Sequence, residues 1–262
     1  MPRRLGQHFL THASIIHKIL MSMQLHAEDS VLEIGPGRGA LTLPLARKVG
    51  RLTLIEKDPV LAQSLRERLA DQPSVTVLEG DFLRLAWEEI APALGSGFKV
   101  VSNLPYQVST AILTRLLREV PPGTFMILMF QKEVGDRIAG GPRGKEYGSL
   151  SVFTQMVAKV RRLLEVAPQA FSPPPKVFSS VLKIQVRETP LVPRQAWTDF
   201  EALLQSGFRQ RRKMLRQNLR PFFGGEEAVR IERRLEAIGA SPQARAEELS
   251  VEQWVKLFPG EC

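Results

Sequence analysis

The sequence predicts an α/β fold in which a mostly parallel, doubly wound sheet with an antiparallel pair at one edge precedes a small helical domain. Three observations carry that expectation. Five short apolar runs alternate with helix-periodic stretches from Val31 onward; two further β-like runs flank a proline-rich link; and beyond Arg187 the apolar period becomes helical throughout.

The five runs are SVLEIG (30–35), RLTLIE (51–56), SVTVLEG (74–80), FKVVSN (98–103) and TFMILMF (124–130), each short, rich in β-branched or aromatic residues and bounded by turn formers. Between them, Leu41–Val49, Val60–Ala70, Ala86–Leu94 and Ser109–Glu119 repeat apolar residues at helical spacing. Strands separated by helices make a parallel sheet. KVRRLLEVA (159–167) and SSVLKIQVR (179–187), joined by PQAFSPPPKV (168–177), supply the antiparallel pair. ETPLVPRQ then reads as a linker, and the domain boundary is set between residues 187 and 188. In 188–262, Trp197, Phe200, Leu204, Phe208, Leu215 and Leu219 fall on one helical face, which predicts a small bundle.

With 36 Lys and Arg against 27 Asp and Glu, the formal charge is +9, which points to a polyanionic partner such as nucleic acid. The single cysteine, Cys262, allows no internal disulfide, and the four histidines all lie within the first 26 residues, so no metal site is expected. No apolar run approaches the roughly 20 residues that span a bilayer. A cytoplasmic monomer is expected.

EIGPGRGALT (33–42) follows the first strand. Its Gly35, Gly37 and Gly39 permit a tight turn and close ligand approach, and the helix that follows aims N–H groups at an anionic or polar group. Gly35-x-Gly37-x-x-Ala40 also satisfies the dinucleotide fingerprint, so the loop alone does not choose a cofactor. Glu56, ending the second strand, sits where a carboxylate accepts from ribose hydroxyls. Asp81, ending the third, suits an adenine amino group, with Phe82 beside it to pack on a ring. Together they imply an adenosine-containing cofactor at the sheet's C-terminal edge.

The fourth strand ends in Asn103-Leu104-Pro105-Tyr106. Asn103 offers a carbonyl acceptor, Pro105 fixes the turn so that the Leu104 carbonyl is aimed at one place, and Tyr106 can stack on a base. Two convergent acceptors suit the exocyclic amine of a base, whose lone pair is delocalised until its hydrogens are held. Methyl transfer from the sulfonium of S-adenosylmethionine asks for such a site; nicotinamide chemistry leaves the tetrapeptide without a role.

Together with LGQHFL (5–10), IEKD (55–58), EGDF (79–82), FQKEVGDRI (130–138), YGSLSV (147–152) and FSPPPKV (171–177), these blocks resemble the ordered signature of the KsgA family, the dimethyladenosine transferases of small-subunit ribosomal RNA. The resemblance covers nearly the whole chain. It implies a Rossmann-like class I methyltransferase domain in 1–187, with 1–29 covering the cofactor, and an RNA- or ribosome-contacting domain in 188–262. It implies S-adenosylmethionine without a metal, held by His8, Leu10, Gly35, Glu56, Asp81 and Asn103; His8 stands where the family commonly has Asn. It implies that Phe171 pairs with Tyr106 around the target adenine, and that two adjacent adenosines in a hairpin loop of small-subunit (30S) rRNA are dimethylated. Arg209, Arg212, Lys213, Arg216 and Arg220 are expected along one helical stripe as phosphate contacts, with Arg143 and Lys145 as a second contact. The competing readings are a related adenine methyltransferase of large-subunit rRNA and a non-catalytic small-subunit assembly factor.

Overall fold

The structure, a computed structural model, describes residues 8–259, so the first three residues of LGQHFL and Cys262 lie outside the described residues. The strands are β1 (Phe9–Leu10), β2 (Ser30–Ile34), β3 (Arg51–Glu56), β4 (Val75–Glu79), β5 (Lys99–Asn103), β6 (Phe125–Gln131), β7 (Ala158–Val166), β8 (Phe171–Ser172) and β9 (Ser179–Val186). Seven form one sheet in the order β4-β3-β2-β5-β6-β9-β7, while β1 and β8 make a separate antiparallel ladder. The pairs β4/β3, β3/β2, β2/β5 and β5/β6 are parallel and β9 runs antiparallel to β6. Each strand assigned from sequence is present.

The order explains the residue pattern. β2 and β3 lie inside the sheet with both faces covered, so they bury nearly every residue instead of alternating. β7 closes one edge, and its exposed Lys159, Arg161 and Arg162 guard that edge against further pairing. From β2 the chain first builds β3 and β4 on one side and then returns to place β5 on the other. The strand order therefore reverses between β2 and β5, where a crevice opens at the C-terminal ends of the strands.

The helices in this part are α1 (Ala13–Ser22), α2 (Thr42–Ala46), α3 (Pro59–Arg68), α4 (Trp87–Leu94), α5 (Ser109–Glu119) and α6 (Lys132–Ile138). Asp58 starts α3 by accepting from the Val60 and Leu61 N–H groups, with Pro59 in the first turn, where no N–H is needed. α5 buries Ile112, Leu113, Leu116 and Leu117 along one stripe. The helix expected over Leu41–Val49 shortens to α2, because Leu41 before it and Arg47 and Lys48 after it lie in turns.

Two compact units divide the chain: one holds the residues up to Gly135 with Arg161–Val186, the other Asp136–Val160 with the residues from Arg187 on. The second unit is thus discontinuous in sequence, resuming at Arg187 after taking in α7 (Ser149–Val157), and it contains α8 (Trp197–Phe208), α9 (Leu215–Leu219), α10 (Ala228–Ala237) and α11 (Val251–Leu257). Its core joins Trp197, Phe200, Leu204, Leu215, Leu219, Ile231, Leu235 and Trp254, all buried. Among the described residues no helix is long and apolar enough to cross a membrane.

FRQRRKMLRQNLR does not form the continuous helix expected of it. α8 stops at Phe208 and α9 starts only at Leu215. The stop has a tertiary cause: buried Asn218 donates Nδ2 to the Gly207 and Gln210 carbonyls at 2.7 and 3.0 Å, and Ser206 Oγ donates to the Asn218 carbonyl at 2.7 Å. The end of α8 is satisfied by a side chain, so the chain turns without a glycine or proline at the break. Gly207 is needed for contact, since a Cβ there would lie 2.4 Å from Trp254 Cη2. Gly207→Ala is therefore expected to cost about 1–3 kcal/mol of stability as an overpacked core, read as a lower thermal midpoint of unfolding.

Candidate active site

One crevice gathers most of the residues singled out from sequence. His8, Leu10, Gly35, Gly37, Glu56, Asp81, Phe82, Asn103, Leu104, Pro105 and Tyr106 all line it, with Ile34, Ile55 and Ile112 as apolar wall. They come from β1, from the ends of β2, β3, β4 and β5, and from the loops that follow, as the strand-order reversal requires.

Local geometry explains each placement. Gly37 has φ +56°, and a Cβ there would come 2.9 Å from the Phe9 ring, so the loop is shaped for glycine alone. Its N–H donates to Glu56 Oε2 at 2.9 Å, and the Asp58 N–H donates to Oε1 at 2.9 Å. This corrects one expectation: the Gly37 N–H serves the buried Glu56 carboxylate and not an anionic ligand. Glu56 is thereby held with its remaining lone pairs as acceptors.

Asp81 is similarly pre-set. Its Oδ2 accepts from Lys57 Nζ at 2.9 Å and its Oδ1 from the Leu83 N–H at 3.0 Å. Burial works to raise its pKa, but the hydrogen bonds from Lys57 and Leu83 and the charges of Lys57 and Arg84 outweigh it and hold the carboxyl below its ordinary value. Arg115, which sequence reasoning missed, fixes the neighbouring turn by donating to the Phe82 and Leu85 carbonyls while its guanidinium lies 4.8 Å from the Phe82 ring centroid. Its spacing from Phe82 carries no signal in the sequence, because the two meet only through folding.

Buried Glu33 also lines the crevice and accepts from Thr42 Oγ1 at 2.8 Å. Burial, opposed by that hydrogen bond and assisted by the negative charge of Glu56, pushes its pKa up to about 8. The carboxyl is mainly protonated at neutral pH. In the sequence, Glu33 belongs to the strand and to the EIGPGRGALT block with no role of its own, since burial of a carboxyl inside a sheet is not visible in the alternation.

At the other end, Asn103 donates Nδ2 to the His8 carbonyl at 3.1 Å, which leaves Oδ1 as its acceptor. His8 Nδ1 lies 2.8 Å from the Pro173 carbonyl. A carbonyl only accepts, so Nδ1 carries the hydrogen. The His8 ring stacks on Tyr106, with centroids 5.7 Å apart and planes at 29°. Tyr106 OH meets Ser179 Oγ at 2.6 Å; burial raises the phenol above its ordinary pKa despite that bond, so it stays neutral.

Phe171 is placed elsewhere. Paired with Leu10 across the β1/β8 ladder, it is buried in the core with Ile19, Leu20 and Met23, and it does not line the crevice. The ring in contact with Tyr106 is that of His8, and Phe171 makes no direct ring contact with Tyr106. The ladder holds Phe171 against Leu10, which itself lines the crevice, and packs the Phe171 ring into the core.

The basic residues also depart from expectation. With the helix broken after Phe208, Arg209, Arg212, Lys213, Arg216 and Arg220 do not form one stripe; Arg216 pairs with Glu232, and the other four are exposed. Arg143 and Lys145 are exposed in the same unit, where the Arg143 N–H donates to the Glu247 carbonyl at 2.6 Å. Glu247 Oε2 also accepts from Arg211 Nε at 3.1 Å, so this one residue holds the 143 loop and the 211 turn side by side.

The crevice fits adenosine chemically. Its wall is apolar, and the side chains of Glu56, Asp81 and Asn103 present acceptors, matching a ligand whose hydroxyls and ring amine donate. Among the described residues no group of three or more His, Cys, Asp or Glu is arranged to hold a metal ion.

Comparison with known proteins agrees with this geometry. A family model described as ribosomal RNA adenine dimethylase matches residues 2–259. Ribosomal RNA small subunit methyltransferase A of Synechococcus elongatus is 39% identical over 263 residues, covering 97% of this chain and 93% of the relative. Its namesake from Thermosynechococcus vestitus is 40% identical over 261 residues, covering 97% and 94%. Among solved structures, the 23S rRNA methyltransferase ErmE superposes with a TM-score of 0.73 at 29% identity, covering 95% of this chain and 98% of that one. A Plasmodium falciparum dimethyladenosine transferase shares the fold, with a TM-score of 0.80 at 23% identity, covering 95% and 96%.

Proposed function

Because the chain belongs to the ribosomal RNA adenine dimethylase family, we propose that it dimethylates the exocyclic N6 of two adjacent adenosines in a hairpin loop of small-subunit rRNA, using S-adenosylmethionine, during assembly of the 30S subunit. The observation that carries this reading is the juxtaposition of the Asn103 acceptor and the Tyr106 ring with a slot that suits adenosine. The relatives that are 36–40% identical are named for the small subunit, which favours that RNA over the large-subunit substrate of ErmE.

S-adenosylmethionine, when bound, supplies an electrophilic methyl group with a good leaving group. Glu56 would accept from its ribose hydroxyls and Asp81 from its adenine amine, with Leu10, Gly35, Gly37 and Phe82 shaping the slot and His8 and Asn103 closing its far end. Asn103 Oδ1 and the Leu104 carbonyl, aimed by Pro105, hold the hydrogens of the target amine and so localise its lone pair. Tyr106, kept neutral and fixed by Ser179, stacks on that base. Catalysis then rests mainly on orientation, and the proton freed from the methylated nitrogen passes to water. We assign no general base.

The target base must leave its stack, which is cheapest in a loop. Exposed Arg209, Arg212, Lys213, Arg220, Arg143 and Lys145 are the phosphate contacts in this reading, and the residues from 188 on supply most of them. Changing Arg212 and Lys213 to Ala is expected to weaken binding to subunits and to flatten the log–log salt dependence by about 1 per lost phosphate contact. Filter binding across a salt series measures this, and an unchanged slope removes these two residues from the interface. The reaction itself is tested with labelled S-adenosylmethionine and small subunits lacking adenosine dimethylation, with large subunits in parallel. Dimethyladenosine in small-subunit RNA alone is the expected result; label only in large subunits selects the other substrate, and binding without label selects an assembly factor.

A further inference from the structure

Phe178 is the one exposed aromatic residue among the large apolar side chains exposed in the described chain, at 45% exposure, and its neighbour Val177 is 43% exposed. Its backbone is nevertheless fixed. The Phe178 carbonyl accepts from the Lys132 N–H at 2.8 Å, and the next residue, Ser179, pairs with Gln131 and bonds Tyr106 through its hydroxyl. An exposed ring on a held backbone costs apolar hydration without the excuse of a mobile loop.

Its position suggests a ligand. Across the sheet, Asn103 pairs with Met129 and Met129 with Val181, three residues before which stands Phe178, at the same edge as the site. Two strand spacings sideways and three residues along put its Cα roughly 14 Å from that of Asn103. That is too far for the base held by Asn103 and Tyr106, and it suits a neighbour in the same strand. Lys176, two residues away, is exposed and has no partner among the described residues, which places a cation for a phosphate beside the ring.

We propose that Phe178 is a stacking platform for an unpaired nucleobase flanking the adenosine to be methylated, with Lys176 on the adjoining phosphate. The proposal rests on the RNA-methylating reading above. Aromatic platforms of this kind hold single-stranded bases without reading their sequence, so Phe178 would keep the loop open while the target base enters the site.

The test is steady-state methylation of small subunits lacking adenosine dimethylation by the wild type and by Phe178→Ala, Phe178→Leu and Phe178→Tyr, with S-adenosylmethionine affinity, thermal midpoint and sedimentation measured on each. The expected result is about a tenfold rise in the KM for subunits in Phe178→Ala and Phe178→Leu, recovery in Phe178→Tyr, and unchanged cofactor affinity and midpoint. An unchanged KM in Phe178→Ala overturns the proposal. So does wild-type behaviour of Phe178→Leu, which indicates ordinary apolar contact, and so does self-association of the wild type that Phe178→Ala abolishes, which makes the face a contact between copies. If the wild type methylates no subunit RNA, the functional reading fails and this one with it; if it does, failure in the variants concerns Phe178 alone.

Discussion

Asn103→Ala is expected to lower kcat for methyl transfer by about 10²–10³-fold, the loss that follows removal of one preorganised polar group from a reacting centre. The side chain has two jobs in the structure. Nδ2 ties the His8 carbonyl at 3.1 Å, and Oδ1 remains for the substrate amine. Only the second is demanded by the chemistry, because the amine becomes nucleophilic as its hydrogens are held in the direction of acceptors. The tether is a single half-exposed hydrogen bond, so its removal costs about 1 kcal/mol of stability. The variant should therefore fold and still bind S-adenosylmethionine through Glu56 and Asp81, more weakly at the far end of the slot, while turning over about 10²–10³-fold more slowly. Single-turnover methylation beside equilibrium binding of the cofactor separates the two, and a variant that keeps wild-type turnover would remove Asn103 from the catalytic role assigned to it.

Glu33→Gln should change how stability depends on pH. The folded carboxyl titrates at about 8, because burial and the charge of Glu56 oppose its ionisation more than the Thr42 bond favours it. The unfolded chain has an ordinary carboxyl. Between those two values the unfolded state has lost a proton that the folded state keeps, so stability falls as pH rises. The contribution is fully present below the ordinary carboxyl range and is lost as pH climbs to about 8, with a slope of about 1.4 kcal/mol per pH unit for one proton. Glutamine has the same shape, is neutral at every pH, and its amide oxygen can still accept from Thr42. Urea unfolding of the ligand-free protein from pH 5 to 9 should show the wild type losing stability relative to the variant through this window. Parallel curves would mean that Glu33 is ionised in the folded state.

The polar blocks were the most legible part of the site. EIGPGRGALT, IEKD, EGDF and NLPY each end or follow a strand, and a parallel sheet places all such ends at one edge, so local order along the chain became adjacency in space without any long-range information. Leu10 and His8 needed the family resemblance, since a two-residue strand has no period to read. Phe171 shows where that reasoning stopped: its pairing with Leu10, 161 positions away in sequence, drew the ring into the core. The basic run failed for a related reason. Its residues have good helical propensity and nothing in it breaks a helix, but Asn218 caps the end of α8 from the other side of the turn.

Composition and spacing by themselves determined the α/β class, the strands, the crevice at their C-terminal ends, the adenosine-like character of the ligand and the cationic surface, because each depends on residues close in sequence or on the regular geometry of a parallel sheet. Tertiary structure alone decided which groups are already engaged. The Gly37 N–H is taken by Glu56, Asp81 by Lys57, the Tyr106 ring by His8, and Arg216 by Glu232. It also decided that Glu33 is buried enough to keep its proton and that Phe178 stays exposed on a fixed backbone. These are matters of desolvation of particular polar groups and of pairing between segments distant in the chain, which apolar periodicity does not encode.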